Sequence, residues 1–241
     1  MVIKISKLSG ISESRGHHFY AKQLNEDSIV VDLGAHLGEF STEVSDSFGC
    51  KCFAVEALPS LYEKITDNQL VKKFNYAIID SEKQVTFCIC DNPESNHLNN
   101  YSNSNAEIKQ TISVDGITLY RLIKSEKINK ISLLKIDIEG SEIALFKSTS
   151  DEILKNIDQI SIEFHDFILD IKPDVEQIIK RLKSLGFICV RYSFYTNGDV
   201  LFLNLRNLNI NFMELLYIRF LSRYLRGLSR AIKKIFISDF S

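Results

Sequence analysis

No stretch of this 241-residue chain approaches the ~20 consecutive apolar residues of a membrane-spanning helix. The N-terminal MVIKISKLSG also lacks the apolar core of an export signal, so the chain reads as cytoplasmic. An excess of one charge is missing too: 29 Lys and Arg stand against 31 Asp and Glu, for a net charge of −2. Nothing global therefore points to nucleic acid as a partner. The five cysteines are odd in number and show no C-x-x-C spacing. Cys50/Cys52 and Cys88/Cys90 fall in strand-like runs and read as reduced buried or edge thiols, not zinc ligands. What remains is an ordinary globular composition, 45% hydrophobic and 25% charged, with length for one α/β domain.

Ile29–Phe40, IVVDLGAHLGEF, organises the rest. A short apolar run ends in Asp32, Gly34 and Gly38 straddle a tight turn, and Leu37, Phe40 and Val44 then recur at helical intervals. That is a buried parallel strand, a glycine turn and a helix start, where open α/β sheets bind nucleotide-like ligands. The three-glycine dinucleotide fingerprint is absent, because His36 stands at its middle position and Asp32 sits just ahead of Gly34. A dinucleotide oxidoreductase therefore fits imperfectly and remains an alternative.

Ahead of this core, residues 1–27 read as a preamble with a short strand at Val2–Ile5 and a His17-His18 pair expected on the surface. A domain follows over 28–207 and a separate tail over 208–241. The first helix should end at Gly49. KCFAVE (51–56) predicts a second strand closing on Glu56, and Pro59 opens a helix over PSLYEKITDN. Glu56, 24 positions after Asp32, is placed to accept hydrogen bonds from ribose hydroxyls, or else to cap the Pro59 helix. Val71–Asp80 predicts a third strand, Gln84–Cys90 a hairpin or edge strand, and Lys109–Val114 another strand, with Asp115 starting a helix. Between them, residues 91–106 are almost wholly polar and predict a surface loop, with a lid as one of its readings.

ISLLKIDIEGSEIALF (131–146) is the second informative stretch. Its strand closes on Asp137, and Asp137, Glu139 and Glu142 crowd one turn, where they repel unless a cation or donor lies nearby. Helix-dipole stabilisation explains Glu142 well and Asp137 poorly. IEFHDF then puts Glu163, His165 and Asp166 at the end of a fifth strand. The last two strands, Phe187–Tyr192 and Val200–Asn204, form a hairpin around Asn197-Gly198. In the tail, Arg219, Arg223, Arg226, Arg230 and Lys233 form one helical stripe beside a stripe of Leu and Ile. Such a helix packs on its own domain, self-associates, or lies peripherally on an anionic inner membrane surface.

Strands ending in Asp32, Glu56 and Asp137 with helices between describe an α/β, Rossmann-like doubly wound sheet. VVDLGAHLGEFS, AVEALPSLYEKI, LLKIDIEGSEIALF and IEFHD resemble the motifs of FkbM-type proteins among the class I S-adenosylmethionine-dependent methyltransferases. The resemblance covers roughly residues 28–192, and the K-I-D-I-E-G-S-E run is its specific part. It implies a mostly parallel seven-stranded sheet with an antiparallel last strand. It further implies that Asp32, Gly34, Ala35, His36 and Gly38 cradle the methionine part of S-adenosylmethionine. Glu56 and Ala57 would hold its ribose, Ala77 or Ile78 would wall the adenine, and Asp137 would lie where methyl meets acceptor. The expected activity is O-methylation of a small-molecule or glycan acceptor, with His165 as base beside Asp137 and Glu139. No metal is predicted, although Asp137, Glu163 and His165 offer a divalent cation a set of ligands. A binding protein that kept the fold without catalysis is the non-enzymatic alternative.

Overall fold

The structure, a computed structural model, describes residues 3–90, 97–98, 108–165, 171–193 and 197–221. It begins with a hairpin of β1 (Ile11–Ser14) and β2 (His17–Tyr20), whose two-residue turn Arg15-Gly16 has positive φ at both positions. That is the turn whose twist matches paired strands. Then come β3 (Ile29–Leu33), α1 (Glu39–Phe48), β4 (Lys51–Val55), α2 (Pro59–Tyr62) and β5 (Val71–Phe74). β6 (Ala77–Ile78), β7 (Lys83–Cys90), β8 (His97–Leu98) and β9 (Ile108–Ile117) follow. The chain continues through α3 (Leu119–Ser125), β10 (Leu133–Ile136), α4 (Glu142–Ser148), α5 (Asp151–Lys155) and β11 (Gln159–Ile162). It closes with α6 (Lys172–Ser184), β12 (Phe187–Arg191), β13 (Val200–Asn204), α7 (Phe212–Leu216) and a π-helical turn over Tyr217–Leu221.

The main sheet has the order β12-β13-β11-β10-β3-β4-β5. Strands β11, β10, β3, β4 and β5 run parallel, and β13 is antiparallel to both β11 and β12. This is the doubly wound, seven-stranded sheet with an antiparallel last strand that the motifs imply. Central strands must be apolar on both faces, and they are. In β3 and β10, Val31, Leu33, Leu134 and Ile136 enter one core layer, while Val30 and Leu133 enter the opposite one. Order reverses between β3, which leads on to β4 and β5, and β10 on its other side. That switch point, at the carboxyl ends of the strands, is where ligands bind in such sheets.

Several local expectations are corrected. The helix at Pro59 stops after Tyr62, because Lys64 and Ile65 donate to carbonyls three residues back and tighten the turn. Ile65 is thereby turned into the core. The segment 71–80 is two strands: Asn75 donates to the Glu56 and Ala57 carbonyls at 2.8 and 2.9 Å, and the chain leaves the main sheet there. β6 then pairs with β9 in a second sheet of order β6-β9-β7-β8. Asp115 stays within β9, and Thr118 caps the helix instead, its hydroxyl accepting the Arg121 N–H at 3.1 Å. No strand forms over residues 3–6. The expected surface histidines are buried, with His17 5% and His18 3% exposed. Their hairpin docks on the sheet, where Tyr20 N–H donates to Gln159 Oε1 at 2.7 Å and Gln159 Nε2 returns a bond to Tyr20 O at 3.0 Å. The cysteines Cys50, Cys52 and Cys88 are buried and form no disulfide. Apart from β8, the polar loop 91–106 falls outside the described residues, as do Asp166 and the tail beyond 221.

Candidate active site

At the switch point the β3–α1 turn and the β10–α4 turn touch. Gly34, at φ 77°, lies so close to Asp137 that a Cβ would meet the Asp137 carbonyl oxygen at 1.7 Å. Only glycine fits. Gly34 and Ala35 N–H groups both donate to Val55 O at 2.9 Å, which ties the turn to β4. His36 adopts the left-handed conformation at φ 53°, so the turn forms despite the missing glycine. Glu56 holds the other side of this turn. One carboxylate oxygen accepts His36 N–H at 2.8 Å and the other accepts Leu58 N–H at 2.9 Å. Burial raises the Glu56 pKa against the opposing pull of those two N–H groups. Each oxygen keeps a further lone pair for a hydroxyl donor.

A cleft opens here. Gly34, Glu56, Ala57, Ala77, Ile78 and Asp137 line it, together with Glu139 and the aromatic rings of Tyr76 and Phe87. The other residues singled out from the sequence lie beneath it. Asp32 is fully buried, accepts Ser41 Oγ–H at 2.8 Å and pairs with Lys135 Nζ at 3.1 Å. Gly38, at φ 74°, caps α1, with Ile65 packed where its Cβ would stand. Ala35 is buried in the second core layer.

Beside the cleft is a charge cluster. Lys135 is a lysine inside a buried strand, and a buried charge must be compensated. Its Nζ donates to Gly34 O at 2.6 Å and faces Asp32 and Asp137, the latter at 3.7 Å. Burial alone would lower its pKa, but those carboxylates outweigh it and hold the ammonium above the ordinary lysine value. Burial would likewise raise Asp137, yet Lys135, then His17 and His165, hold its carboxyl well below the usual range. His17 Nε2 lies 3.6 Å from Asp137 Oδ2, and its Nδ1 lies 3.4 Å from Ser161 Oγ.

His165 has both ring nitrogens committed. Nδ1 lies 2.9 Å from Glu142 Oε1 and Nε2 lies 3.1 Å from Glu139 Oε2. Burial works against its charge, but the bonds to Glu139 and Glu142 overcome this and push the pKa up to about 11. An imidazole that is protonated at neutral pH cannot accept a proton, so the geometry does not suit the base role read from the sequence. Glu163 has the complementary property. Burial, and then the charges of Asp137, Glu139 and Asp199, push its pKa up to about 7. A half-buried carboxylate poised near neutrality is a ready proton acceptor. Asp199, 2.6 Å from His18 Nδ1, completes the acidic side, and His18 stacks on Tyr192 with centroids 3.9 Å apart.

Two triads, His17-Asp137-Glu163 and Asp137-Glu139-His165, each bring three potential metal-ligating atoms within 4.8 Å of one another. Lys135 and the charged His165 ring already supply positive charge at Asp137, and a cation in the second triad would first have to displace the His165 proton. We assign no metal to either.

The charged His165 predicts a pH-dependent contribution to stability. Its folded pKa lies above the unfolded value of 6.5, so the contribution is complete below pH 6.5 and is lost as pH rises towards about 11. His165→Gln leaves the buried Glu142 carboxylate without its cationic partner, which costs about 3–5 kcal/mol. In urea melts the gap between wild type and variant should be wider at pH 6 than at pH 10.

Sequence reasoning passed over His17, Lys135 and Glu163 as acid–base or positioning groups. For Lys135 the signal was present, a cation amid LLKID in a strand otherwise apolar on both faces. His17 reaches the site only through a long-range docking of the hairpin, which no local pattern encodes.

Comparison with known proteins places the fold in a family. Over 152 residues the chain is 23% identical to the hexuronic acid methyltransferase AglP of Haloferax volcanii, with 60% of this chain and 59% of that protein covered. The methyltransferase FkbM structure from Methylobacillus flagellatus KT shares the fold, with a TM-score of 0.52 at 14% identity over 77% of this chain. The chain thus spans 59% and 46% of the lengths of these two relatives. Residues 32–189, more than half of the sequence, match the model of the methyltransferase FkbM domain. The chain therefore belongs to the FkbM methyltransferase domain family.

Proposed function

We propose that this protein transfers a methyl group from S-adenosylmethionine to a hydroxyl oxygen of a sugar or related acceptor. One observation carries the reading: a cleft at the switch point, with the Glu56 carboxylate among its lining, opens beside a carboxylate tuned to neutrality. The residues fit an adenosyl group. Glu56 is held by two N–H groups with acceptor capacity left for ribose hydroxyls, Ala77, Ile78 and Phe87 form an apolar wall for a flat base, and Gly34 lets the two turns that frame the cleft meet. When bound, S-adenosylmethionine supplies a methyl group on a positively charged sulfonium sulfur.

Glu163 takes the proton of the acceptor hydroxyl as its oxygen becomes a nucleophile. His165 is a positioning residue that clamps Glu139 to Glu142 and fixes the 137–142 turn. Lys135, reaching Gly34 O, Asp32 and Asp137 from one ammonium, locks the two turns of the site together. Orientation of the acceptor is the main requirement, because the sulfonium is already a good leaving group. The sugar-type acceptor draws support from the AglP relative, whose name gives a hexuronic acid as its substrate.

The test is transfer of a labelled methyl group to a panel of neutral sugars, hexuronic acids and lipid-linked glycans. Label in an acid- and base-stable ether product supports the proposal. Binding of S-adenosylhomocysteine with no transfer to any hydroxylated acceptor favours a binding protein, and stabilisation by NAD(P) alone favours an oxidoreductase.

A further inference from the structure

The start of the C-terminal segment presents an apolar face that the domain leaves uncovered. A capping box sets α7 in place: Asn211 Oδ1 accepts Glu214 N–H at 2.9 Å, and Glu214 Oε2 accepts Asn211 N–H at 3.3 Å. Glu214 turns inward, accepting the Tyr20 hydroxyl at 3.2 Å and pairing with Lys22. One turn on, Ile218 is fully buried in the cluster of Tyr20, Leu203 and Leu208. With that side anchored, the opposite side faces out. Phe212 is 75%, Met213 69% and Leu216 44% exposed. Phe212 and Met213 lie four and three residues before Leu216 and are its neighbours on the helix surface. Exposed Arg219 follows three residues later on the same side.

The charge of this segment of the sequence has one sign. Glu214, the one acid of α7, points into the domain and is neutralised by Lys22. From Leu215 to Ser238 the sequence has no acid, and it carries Arg219, Arg223, Arg226, Arg230, Lys233 and Lys234. An apolar and aromatic face that carries Arg219 and opens a stretch of acid-free, basic sequence matches the boundary between anionic headgroups and acyl chains. A second copy fits poorly, since a two-fold contact through this face would set the exposed Arg219 against its own copy. No helix among the described residues is long and apolar enough to cross a membrane, so the contact would be peripheral.

We propose that this face docks on an anionic lipid surface. Phe212, Met213 and Leu216 enter the interface, and Arg219 meets lipid phosphates. None of these four residues belongs to the catalytic cleft, so the proposal stands apart from the methyl-transfer reading.

The test is co-sedimentation of the full chain with vesicles of phosphatidylcholine alone and of phosphatidylcholine with phosphatidylglycerol. Wild type should bind the anionic vesicles, and added salt should weaken that binding. Phe212→Ser/Met213→Ser/Leu216→Ser should weaken it by about 10-fold or more, and Arg219→Gln by about 5-fold. Both variants should keep the wild-type melting temperature, because the altered side chains are exposed. Absence of binding to anionic vesicles would overturn the proposal. So would equal binding to neutral vesicles, equal binding by the triple variant, or concentration-dependent dimerisation in place of vesicle binding.

Discussion

Glu163→Gln should lower kcat by about 10²–10⁴-fold, the usual contribution of a positioned general base, while leaving cofactor affinity unchanged. Glutamine keeps the shape of the side chain and removes its capacity to take a proton. Wild-type kcat should rise through pH about 7 as Glu163 ionises, and the variant should lack that limb. His165 cannot supply it, since its pKa is pushed up to about 11. Persistence of the limb in the variant would assign the proton to another group.

A stability signature accompanies the kinetic one. Burial disfavours the ionised form of Glu163, so its folded pKa is raised from 4.5 to about 7. The stability this gives is complete below pH 4.5 and is lost by pH about 7. The variant should therefore melt above wild type at pH 8, with the difference disappearing below pH 4.5.

Gly34→Ala is the second change with a large expected effect. Its Cβ would stand 1.7 Å from the Asp137 carbonyl oxygen, and φ is 77°. The left-handed backbone costs a side chain about 1–2 kcal/mol and overpacking against fixed backbone about 1–3 kcal/mol, so a loss of about 2–5 kcal/mol follows. Gly49→Ala is the matched control. It has a similar φ of 69°, but its nearest neighbour, Glu26 Cβ, is at an ordinary 3.7 Å. It should carry the backbone cost alone. Gly34→Ala should also abolish cofactor binding in whatever fraction stays folded, because relieving the clash parts the two turns that frame the cleft. Equal destabilisation by the two alanines in urea melts would mean that the turns are not held in contact.

The sheet was legible because its strands announce themselves twice, in apolar runs and in the acids that close them. Asp32, Glu56 and Asp137 all sit at carboxyl ends around the switch point, and the family motifs lie on those same turns. The errors arose where tertiary contacts override local pattern. Asn75 bonds to the carbonyls after β4 and splits what reads as one strand, and pairing opposite Gln84 of β7 holds Asp115 in β9, which leaves Thr118 to cap the helix. At the site, residue types were readable but protonation was not. A histidine beside acids suggests a base until both its nitrogens are seen engaged, and Glu163, read from the sequence as a possible cation ligand, shows its raised pKa only once its burial is known.

The central claim is that the cleft framed by Gly34, Glu56 and Asp137 binds the adenosyl methyl donor. Thermal denaturation with and without S-adenosylhomocysteine tests it most directly. The account predicts a rise in melting temperature for wild type and little or none for Glu56→Ala, with NAD(P) ineffective on both. No shift of the wild type by either S-adenosylhomocysteine or S-adenosylmethionine would contradict it.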